Sequence, residues 1–463
     1  MRFIFYDTET TGTDRRFDQI LQFAAILADE GLRELDSFSL RCRLLPHVLP
    51  APEALTVTGL SIGRIVRHPT SHLAMMRMVR ARLRDWSAGG AVFAGWNSLR
   101  FDEAVLRQAL YQTLQPPYLT SSAGNGRLDV MKLAHAVTRV APNAMIVPRD
   151  AEGKTTYRLE RFAEANGVRL SHAHDALADA RAALDLARMI AARAPRIFVE
   201  MLANSSRDAL RRRLGAAPVL AFVESVFGRP EIMPVAVAAA NPEDANELAL
   251  ADLSRPPEEY LAAGDGAIAD LFENRGPGRV LHRVRVNAAP SLLPADLLER
   301  RSEEADISRA ELLRRAEALA AAEEFRARLA AFLSRRARER PLSPHLEERI
   351  YERFPGASDE KLMAAFHEAR WEDRPALIRR FEDDRLRSLG LRLLACERPD
   401  LLSEAERERW REFLRSRLFP PAPVPWTSAP AAWASSALRS MPDYVEHLRR
   451  LARELGAELP EWA

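Results

Sequence analysis

The chain begins with a strand-like run that ends in two acids, Phe3-Ile4-Phe5-Tyr6-Asp7-Thr8-Glu9. Four consecutive apolar and aromatic residues are typical of a buried strand. Because side chains alternate along a strand, residues 7 and 9 lie on the same side. Two carboxylates that point the same way repel one another unless a cation lies between them or water surrounds them. Asp7 and Glu9 are therefore candidate metal ligands, and a solvated strand end is the alternative.

The first 195 residues around this strand alternate strand and helix patterns. Further strands are predicted over residues 19–29, 37–45 and 91–97, and helices over residues 103–114, 159–166 and 175–192. Strands that are followed by interleaved helices predict a layered α/β domain with a mixed sheet.

The remaining chain changes character twice. From residue 218 to 294, short β-like runs are separated by Pro, Gly and Asn, which indicates a small β-barrel-like domain. From residue 297 onward the pattern is helical, with one amphipathic stretch over 310–340 and a proline-rich connection over 420–430. At about 150 residues per domain, a chain of 463 residues predicts three domains.

The composition excludes several classes of protein. A chain that is 47% hydrophobic and 29% charged is not wholly disordered. It has no run of about 18 apolar residues, so no transmembrane helix is expected. The first apolar run is too short for a signal peptide, so we expect a cytoplasmic location. With only Cys42 and Cys396, neither a disulfide framework nor a thiolate zinc site is expected.

The positive charge is almost entirely arginine. The net charge of +2 is uninformative, but only three of the 67 basic residues are lysines. Arginine binds phosphate through a fixed, bidentate fork. A GC-rich genome explains the same bias equally well, so charge alone does not indicate nucleic-acid binding.

Two further acids and a histidine occur where elements begin or end. Asp102 follows the fourth predicted strand, Asp179 lies on the last helix of the domain, and His174 precedes Asp179 by five positions. Four carboxylates from separate elements suit magnesium or manganese. Two such ions about 4 Å apart activate water and stabilise the leaving oxygen of a phosphodiester. His174 is the candidate general base, and a helix N-cap is the alternative role for Asp102.

The order Asp-x-Glu, Asp, His-x4-Asp resembles the DEDDh branch of the DEDD exonuclease superfamily. Within that branch, five segments are similar to the bacterial exodeoxyribonuclease I family: residues 5–13, 22–26, 97–103, 157–160 and 173–179. Later segments resemble that family's SH3-like domain (241–246 and 284–290) and its helical C-terminal region (348–354, 374–387 and 404–419). The resemblance therefore covers most of the chain.

This resemblance implies an α/β fold with three domains. A ribonuclease-H-like exonuclease domain with a mixed sheet is expected over residues 1–195. An SH3-like β domain is expected over 196–345, and an α-helical C-terminal domain over 346–463.

The implied activity is magnesium-dependent 3′-to-5′ removal of 5′-mononucleotides from single-stranded DNA, with two Mg²⁺ ions and Mn²⁺ as a possible substitute. Carried over by position, Asp7, Glu9 and Asp179 would hold metal, Asp102 would complete the second metal site and His174 would be the base. Glu9 and Arg158 would also contact the terminal nucleotide. A guanidinium suits this role because it neutralises charge that grows on the scissile phosphate. A surface ion pair is the alternative for Arg158.

Other positions match DNA contacts less specifically. They are Arg107, Tyr118 and Lys132 in the first domain, and Arg279, Arg283 and Arg285 on one predicted strand. An aromatic platform with cations is what a single-strand channel requires. The alternatives are a plain surface aromatic for Tyr118 and a solvated strand face for the three arginines. Residues 218–294 contain no tryptophan, in contrast to the family, so base stacking by the second domain is in question.

By the same resemblance, the expected partners are single-stranded DNA and single-stranded DNA-binding protein, with a role in DNA repair and recombination. A monomer without membrane attachment is expected. Two rival functions are an RNA-directed 3′ exonuclease of the same fold and a catalytically silent single-strand-binding scaffold. The long extension beyond residue 195 argues against the first, and the intact set of four acids and one histidine argues against the second.

Overall fold

In the computed structural model, the first strand, which carries Asp7 and Glu9 near its end, is the central strand of a mixed sheet. The structure describes residues 1–170, 174–226, 228–273, 279–298, 307–338 and 342–460. The five strands are β1 (Phe3–Thr10), β2 (Ile20–Ala28), β3 (Glu34–Arg41), β4 (Val92–Gly95) and β5 (Gly126–Asp129). Their order is β3-β2-β1-β4-β5, in which β2 and β3 are antiparallel to their neighbours and β4 and β5 continue parallel to β1. The predicted mixed sheet is confirmed.

Among the described residues, nine α-helices follow or interrupt these strands up to the second sheet. They are α1 (Pro52–Thr58), α2 (Ile62–Val66), α3 (His72–Trp86), α4 (Asp102–Gln112), α5 (Val130–Val140), α6 (Leu159–Ala165), α7 (Ala176–Arg193), α8 (Pro195–Ala203) and α9 (Arg207–Ala216). The third strand was predicted too late in the chain, since it begins at Glu34 and ends at Arg41. Helices α1, α2, α3, α8 and α9 and the four-residue strand β5 were not predicted.

Both faces of β1 are buried, and alternation along the strand decides which helix each side chain meets. Phe3 and Phe5 belong to an apolar cluster with residues of α7. Ile4 and Tyr6 belong to a second cluster with residues of α3 and α4. Asp7 and Glu9 therefore continue the face that α7 covers, and Thr8 continues the face towards α4.

A second, antiparallel sheet follows. Its strands are β6 (Leu220–Val226), β7 (Arg229–Ala240), β8 (Glu247–Asp252), β9 (Leu281–Arg285) and β10 (Leu292–Pro294), in the order β10-β6-β7-β8-β9. Within the described ranges no ladder joins β9 to β10, so the strands form an open sheet with two edges and not a closed barrel. The SH3-like assignment stays a prediction.

The α-helices that the structure describes around or after this sheet are α10 (Asp265–Glu273), α11 (Arg309–Ala321) and α12 (Glu323–Arg338). They share an apolar cluster with the strands. The prediction of one amphipathic stretch over 310–340 was wrong in its continuity, because the chain leaves the helix at Ala322. Residues 339–341 lie outside the described part of the chain.

The C-terminal region is helical, as predicted. Its helices are α13 (Ala357–Glu368), α14 (Arg374–Arg379), α15 (Asp384–Glu397), α16 (Glu404–Leu418), α17 (Ala429–Ala434) and α18 (Pro442–Leu455). The proline-rich connection joins α16 to α17. Tyr111 and Leu114, at the end of α4, share an apolar cluster with Phe366 and Ile378 of this region. Among the helices that the structure describes, none combines the length and apolar character needed to cross a membrane.

Candidate active site

Three of the predicted acids converge at the end of β1. Asp7 and Glu9 come from β1, and Asp179 comes from the first turn of α7. One carboxylate oxygen of each lies within 4.8 Å of the others. Glu9 is buried, and the other two are half-buried. Among the described residues this is the one group of three or more potential ligands packed so closely.

Asp102 lies beside this group, on the other side of β1. It is the first residue of α4 and only 4% exposed. Its Oδ1 accepts a 2.6 Å hydrogen bond from the Thr8 hydroxyl, and Thr8 stands between Asp7 and Glu9. The alternative of a helix N-cap is wrong, because Phe101 occupies the N-cap position and no side-chain cap bond is formed there.

Burial raises the pKa values of all four acids, and neighbouring site acids raise those of Asp7 and Glu9 further. Burial raises the pKa of Asp7 well above its usual range, and the charges of Asp102, Asp179 and Glu9 raise it further. Burial and the charges of Asp179, Asp102 and Asp175 raise the pKa of Glu9 to about 8. Burial is also the first cause that raises the pKa of Asp102 and of Asp179 to about 7. The fold therefore disfavours the charged form of each of the four carboxylates, and a bound cation would offset that cost.

His174 is exposed and lies just before α7, where its backbone takes a left-handed conformation with φ of 65°. A hydrogen bond with the His174 backbone lowers the pKa of Asp179, which places the two residues together. The next residue, Asp175, is the N-cap of α7, and its carboxylate also accepts hydrogen bonds from Gln22 at 2.9 Å and Arg41 at 3.1 Å. Gln22 of β2 and Arg41 of β3 thereby fix the N-terminus of α7, the helix that carries Asp179.

Arg158 is the exposed N-cap residue of α6. The preceding residue is held firmly: the Trp96 indole N–H donates to the Tyr157 carbonyl at 2.9 Å, and the Tyr157 hydroxyl lies 2.8 Å from that of Thr138. Within the part of the chain that the structure describes, Arg158 has no acidic side chain at salt-bridge distance. The alternative of a surface ion pair therefore has no support from the described residues, and the phosphate role stays a prediction.

Arg107 and Tyr118 lie together, but Arg107 is already paired. Its guanidinium donates to Glu103 at 2.5 Å and to the Tyr351 hydroxyl at 3.4 Å. It also lies over the Tyr118 ring, 5.1 Å from the centroid. The Tyr118 ring lies 5.5 Å from that of Phe354, which is 75% exposed. The result is a group of aromatic rings beside a cation.

Lys132 and Asp129 are neighbours at the start of α5. Asp129 is the N-cap of this helix and accepts from the backbone N–H groups of Met131 and Lys132. It also accepts from the backbone of Asn97 and Leu99, after β4. Asp129 is therefore structural. Lys132 is half-buried. Burial raises the pKa of Asp129, and the charge of Lys132 offsets part of that rise. The DNA contact of Lys132 stays a prediction.

The three arginines of the second sheet do not form a free stripe. Arg279 precedes β9, whereas Arg283 and Arg285 lie on it. Each has an acidic partner: Glu224 for Arg279 at 3.2 Å, Glu247 for Arg283 at 3.4 Å and Asp244 for Arg285 at 2.8 Å. A DNA strand would have to compete with these acids for the guanidinium groups.

The sequence analysis missed three residues that shape the site. Thr8 binds Asp102, Glu160 raises the pKa of Asp179, and Glu103 anchors the start of α4. Burial raises the pKa of Glu103, but the charges of Arg127 and Arg107 outweigh it, so the net shift is downward. The available signal was position, since Thr8 and Glu103 are chain neighbours of predicted ligands.

Two family models and a full-length relative match the chain. An exonuclease family model (RNase_T) matches residues 4–187, and a model described as exonuclease I C-terminal domain matches residues 344–430. Exodeoxyribonuclease I of Escherichia coli K12 is 27% identical over 439 residues, which cover 90% of each chain. The two family models match the first sheet with its helices and the C-terminal helices, respectively.

Solved structures match over almost the whole chain. Exonuclease I from Methylocaldum szegediense has a TM-score of 0.83 at 26% identity and covers 98% of this chain and 99% of its own. E. coli exonuclease I in complex with a dA16 oligonucleotide has a TM-score of 0.80 at 24% identity, covers 98% of this chain and 95% of its own, and shows the same fold. A structure described as SSB/exonuclease I with an inhibitor has a TM-score of 0.79 at 25% identity, with coverage of 98% and 95%. Because both family models, the full-length relative and the fold agree, the resemblance of this chain to exodeoxyribonuclease I is confirmed over almost its whole length.

Proposed function

We propose that the chain is a divalent-metal-dependent 3′-to-5′ exonuclease that releases 5′-mononucleotides from single-stranded DNA. The observation that carries the proposal is the convergence of Asp7, Glu9 and Asp179 within 4.8 Å, beside the buried Asp102. Burial raises the pKa values of all three, and repulsion from neighbouring site acids raises those of Asp7 and Glu9 further. A cation between them relieves that repulsion.

The donor set fits magnesium, with manganese as a possible substitute. All four groups offer hard carboxylate oxygens, which these ions prefer over the nitrogen and sulfur donors of zinc sites. We propose two ions, held by Asp7, Glu9 and Asp179, with Asp102 completing the second site. When bound, such ions activate a water and stabilise the leaving oxygen of a phosphodiester.

Two further residues take part in the proposed reaction. His174, which is exposed and lies just before the N-cap of α7, accepts the proton of the attacking water. Arg158, held in place through its neighbour Tyr157, binds the scissile phosphate and neutralises its growing charge. Glu9 and Arg158 together contact the terminal nucleotide.

The regions beyond the first domain supply the preference for a single strand. We propose the division 1–195, 196–345 and 346–463, in which the second domain is SH3-like. Arg127 donates to the Asn287 carbonyl, and Arg107 donates to the Tyr351 hydroxyl, so both later regions lie beside the site. Tyr118 and Phe354 then offer ring faces on which successive bases stack.

The proposed setting is DNA repair and recombination in the cytoplasm, carried out by a monomer. Single-stranded DNA-binding protein is the proposed protein partner. The similarity to the SSB/exonuclease I structure supports that proposal.

The test is a gel assay of 3′-end digestion with three 5′-labelled substrates: single-stranded DNA, duplex DNA and single-stranded RNA, each with Mg²⁺ and with EDTA. We expect a ladder on single-stranded DNA with Mg²⁺ only. Faster digestion of RNA would favour the RNA-directed alternative. Binding without digestion of any substrate would favour the silent scaffold.

A further inference from the structure

Glu103 is a buried acid beside the candidate site that the proposed reaction does not use. It is 3% exposed and accepts four hydrogen bonds. Oε1 accepts from Arg107 at 2.5 Å, Arg127 at 3.0 Å and the Thr120 hydroxyl at 2.7 Å, and Oε2 accepts from the Tyr6 hydroxyl at 3.2 Å. A buried carboxylate with this many donors holds its surroundings in one arrangement.

Two of these contacts pair β1 with the start of α4. Tyr6 and Thr8 project from the same face of β1. Their hydroxyls donate to the consecutive residues Glu103 and Asp102, at 3.2 Å and 2.6 Å. The two bonds lie side by side, so a shift of α4 along β1 breaks both. The position of Asp102 relative to Asp7 and Glu9 therefore depends on Glu103.

The arginine partners of Glu103 extend this arrangement to the rest of the molecule. Arg127 donates to the Asn287 carbonyl of the second domain. Arg107 donates to the Tyr351 hydroxyl of the C-terminal region at 3.4 Å. Glu103 thus lies where all three regions meet, one residue from a candidate metal ligand.

We propose that Glu103 is a positioning residue that holds Asp102 in register with Asp7 and Glu9. This inference rests on the proposed function, because it assumes that Asp102 helps to hold the metal ions. In this proposal Glu103 itself is neither a metal ligand nor a DNA contact; it acts through Asp102. A residue with a purely structural role would affect the stability of the chain, whereas a positioning residue also affects how tightly the site binds metal.

The test uses the full chain and the variant Glu103→Gln, which keeps the shape of the side chain and removes its charge. Mn²⁺ binding without DNA is measured by titration calorimetry, and the Mg²⁺ concentration for half-maximal digestion of single-stranded DNA is measured in parallel. We expect the Kd for Mn²⁺ and the Mg²⁺ requirement each to rise about tenfold.

The matched control is Glu348→Gln. Like Glu103, Glu348 pairs with an arginine, Arg16 at 2.5 Å, but this pair lies between the C-terminal and first regions and does not involve Asp102. It should bind Mn²⁺ like the wild type. A folded Glu103→Gln variant with wild-type Mn²⁺ affinity would overturn the proposal.

A second variant covers the case in which Glu103→Gln does not fold. Tyr6→Phe removes only the hydroxyl that donates to Oε2 of Glu103. We expect a smaller rise in the Kd for Mn²⁺, about threefold, and an unchanged Kd would overturn the proposal. If the wild type digested no DNA, the proposed function would fail, but these Mn²⁺ affinities would still decide the role of Glu103.

Discussion

The Thr8 hydroxyl donates a 2.6 Å hydrogen bond to Asp102, and this bond joins the strand that carries Asp7 and Glu9 to the helix that begins at Asp102. The bond lowers the pKa of Asp102, against the burial that raises it to about 7. Thr8 therefore favours the charged form of Asp102, which is the form that binds metal.

Replacing Thr8 by valine should weaken metal binding. Thr8→Val keeps the side-chain shape and removes the donor, so the pKa of Asp102 rises further and protons compete better with Mg²⁺. We expect the Mg²⁺ concentration for half-maximal activity at pH 7 to rise about tenfold. The matched control is Thr10→Val, because Thr10 donates to the Gly12 carbonyl and not to an acid. An equal effect of the two substitutions would contradict the role given to Thr8.

The raised pKa of Asp179 predicts a stability effect with a definite sign. In the folded chain this pKa is about 7, against 3.8 for the free side chain. The folded state therefore binds more protons between these values, and the stability of the metal-free chain falls as pH rises from about 4 to 7. Asp179→Asn removes this titration. In EDTA at pH 8 we expect the variant to be more stable than the wild type by about 2 kcal/mol, after a discount for partial exposure.

Thermal unfolding at pH 5, 6, 7 and 8 checks this sign. The difference between variant and wild type should grow with pH and should be smallest at pH 5. With saturating Mg²⁺ the wild type should regain stability and the variant should not. A variant that is less stable than the wild type in EDTA at pH 8 would show that the fold does not disfavour the charged form of Asp179.

Removing the candidate base should leave some activity. His174→Ala loses the proton acceptor, so single-turnover cleavage should fall about 100-fold to 1,000-fold, but bound ions would still favour the hydroxide form of the attacking water. The control is His68→Ala, a histidine on the connection between α2 and α3. Full activity of His174→Ala at neutral pH would rule out its assignment as the base.

The aromatic group at the edge of the site should matter for long strands only. Phe354 is 75% exposed and lies 5.5 Å from Tyr118, so Phe354→Ala removes one stacking face. We expect the Kd for a 20-mer of single-stranded DNA to rise about tenfold in EDTA, with little change in the cleavage of a dinucleotide. Val199→Ala, at a residue 59% exposed, is the control. Equal Kd values for Phe354→Ala and wild type would place the strand elsewhere.

Local patterns predicted the acids but not their partners. The alternation of β1 and the helix that carries Asp179 are short-range features, so three of the ligand candidates could be found from spacing. The bond from Thr8 to Asp102 spans 94 positions, and that from Arg127 to Asn287 spans 160. Contacts at such separations depend on how the elements pack, which periodicity does not reveal.

The arginines of the second sheet illustrate the same limit. Their shared side of a strand is visible in the sequence, but the partners Glu247 and Asp244 of Arg283 and Arg285 lie on or just before the neighbouring strand. The pairing register between β8 and β9 determines which of their side chains lie opposite one another. Strand β5 was missed for another reason, because four residues are too few for a period of two to stand out.

The most direct test of the central claim compares the wild type with Asp179→Ala for release of mononucleotides from 3′-labelled single-stranded DNA at saturating Mg²⁺. Asp179 contributes one of the three carboxylates that meet within 4.8 Å, and its removal leaves the ions without a complete set of ligands. The account predicts Mg²⁺-dependent release by the wild type. It predicts that the release rate of the variant is lower by a factor of about 1,000 or more, because the metal ions activate the water and stabilise the leaving oxygen. The Kd for DNA in EDTA should be unchanged. Release by the variant at a rate near that of the wild type would contradict it.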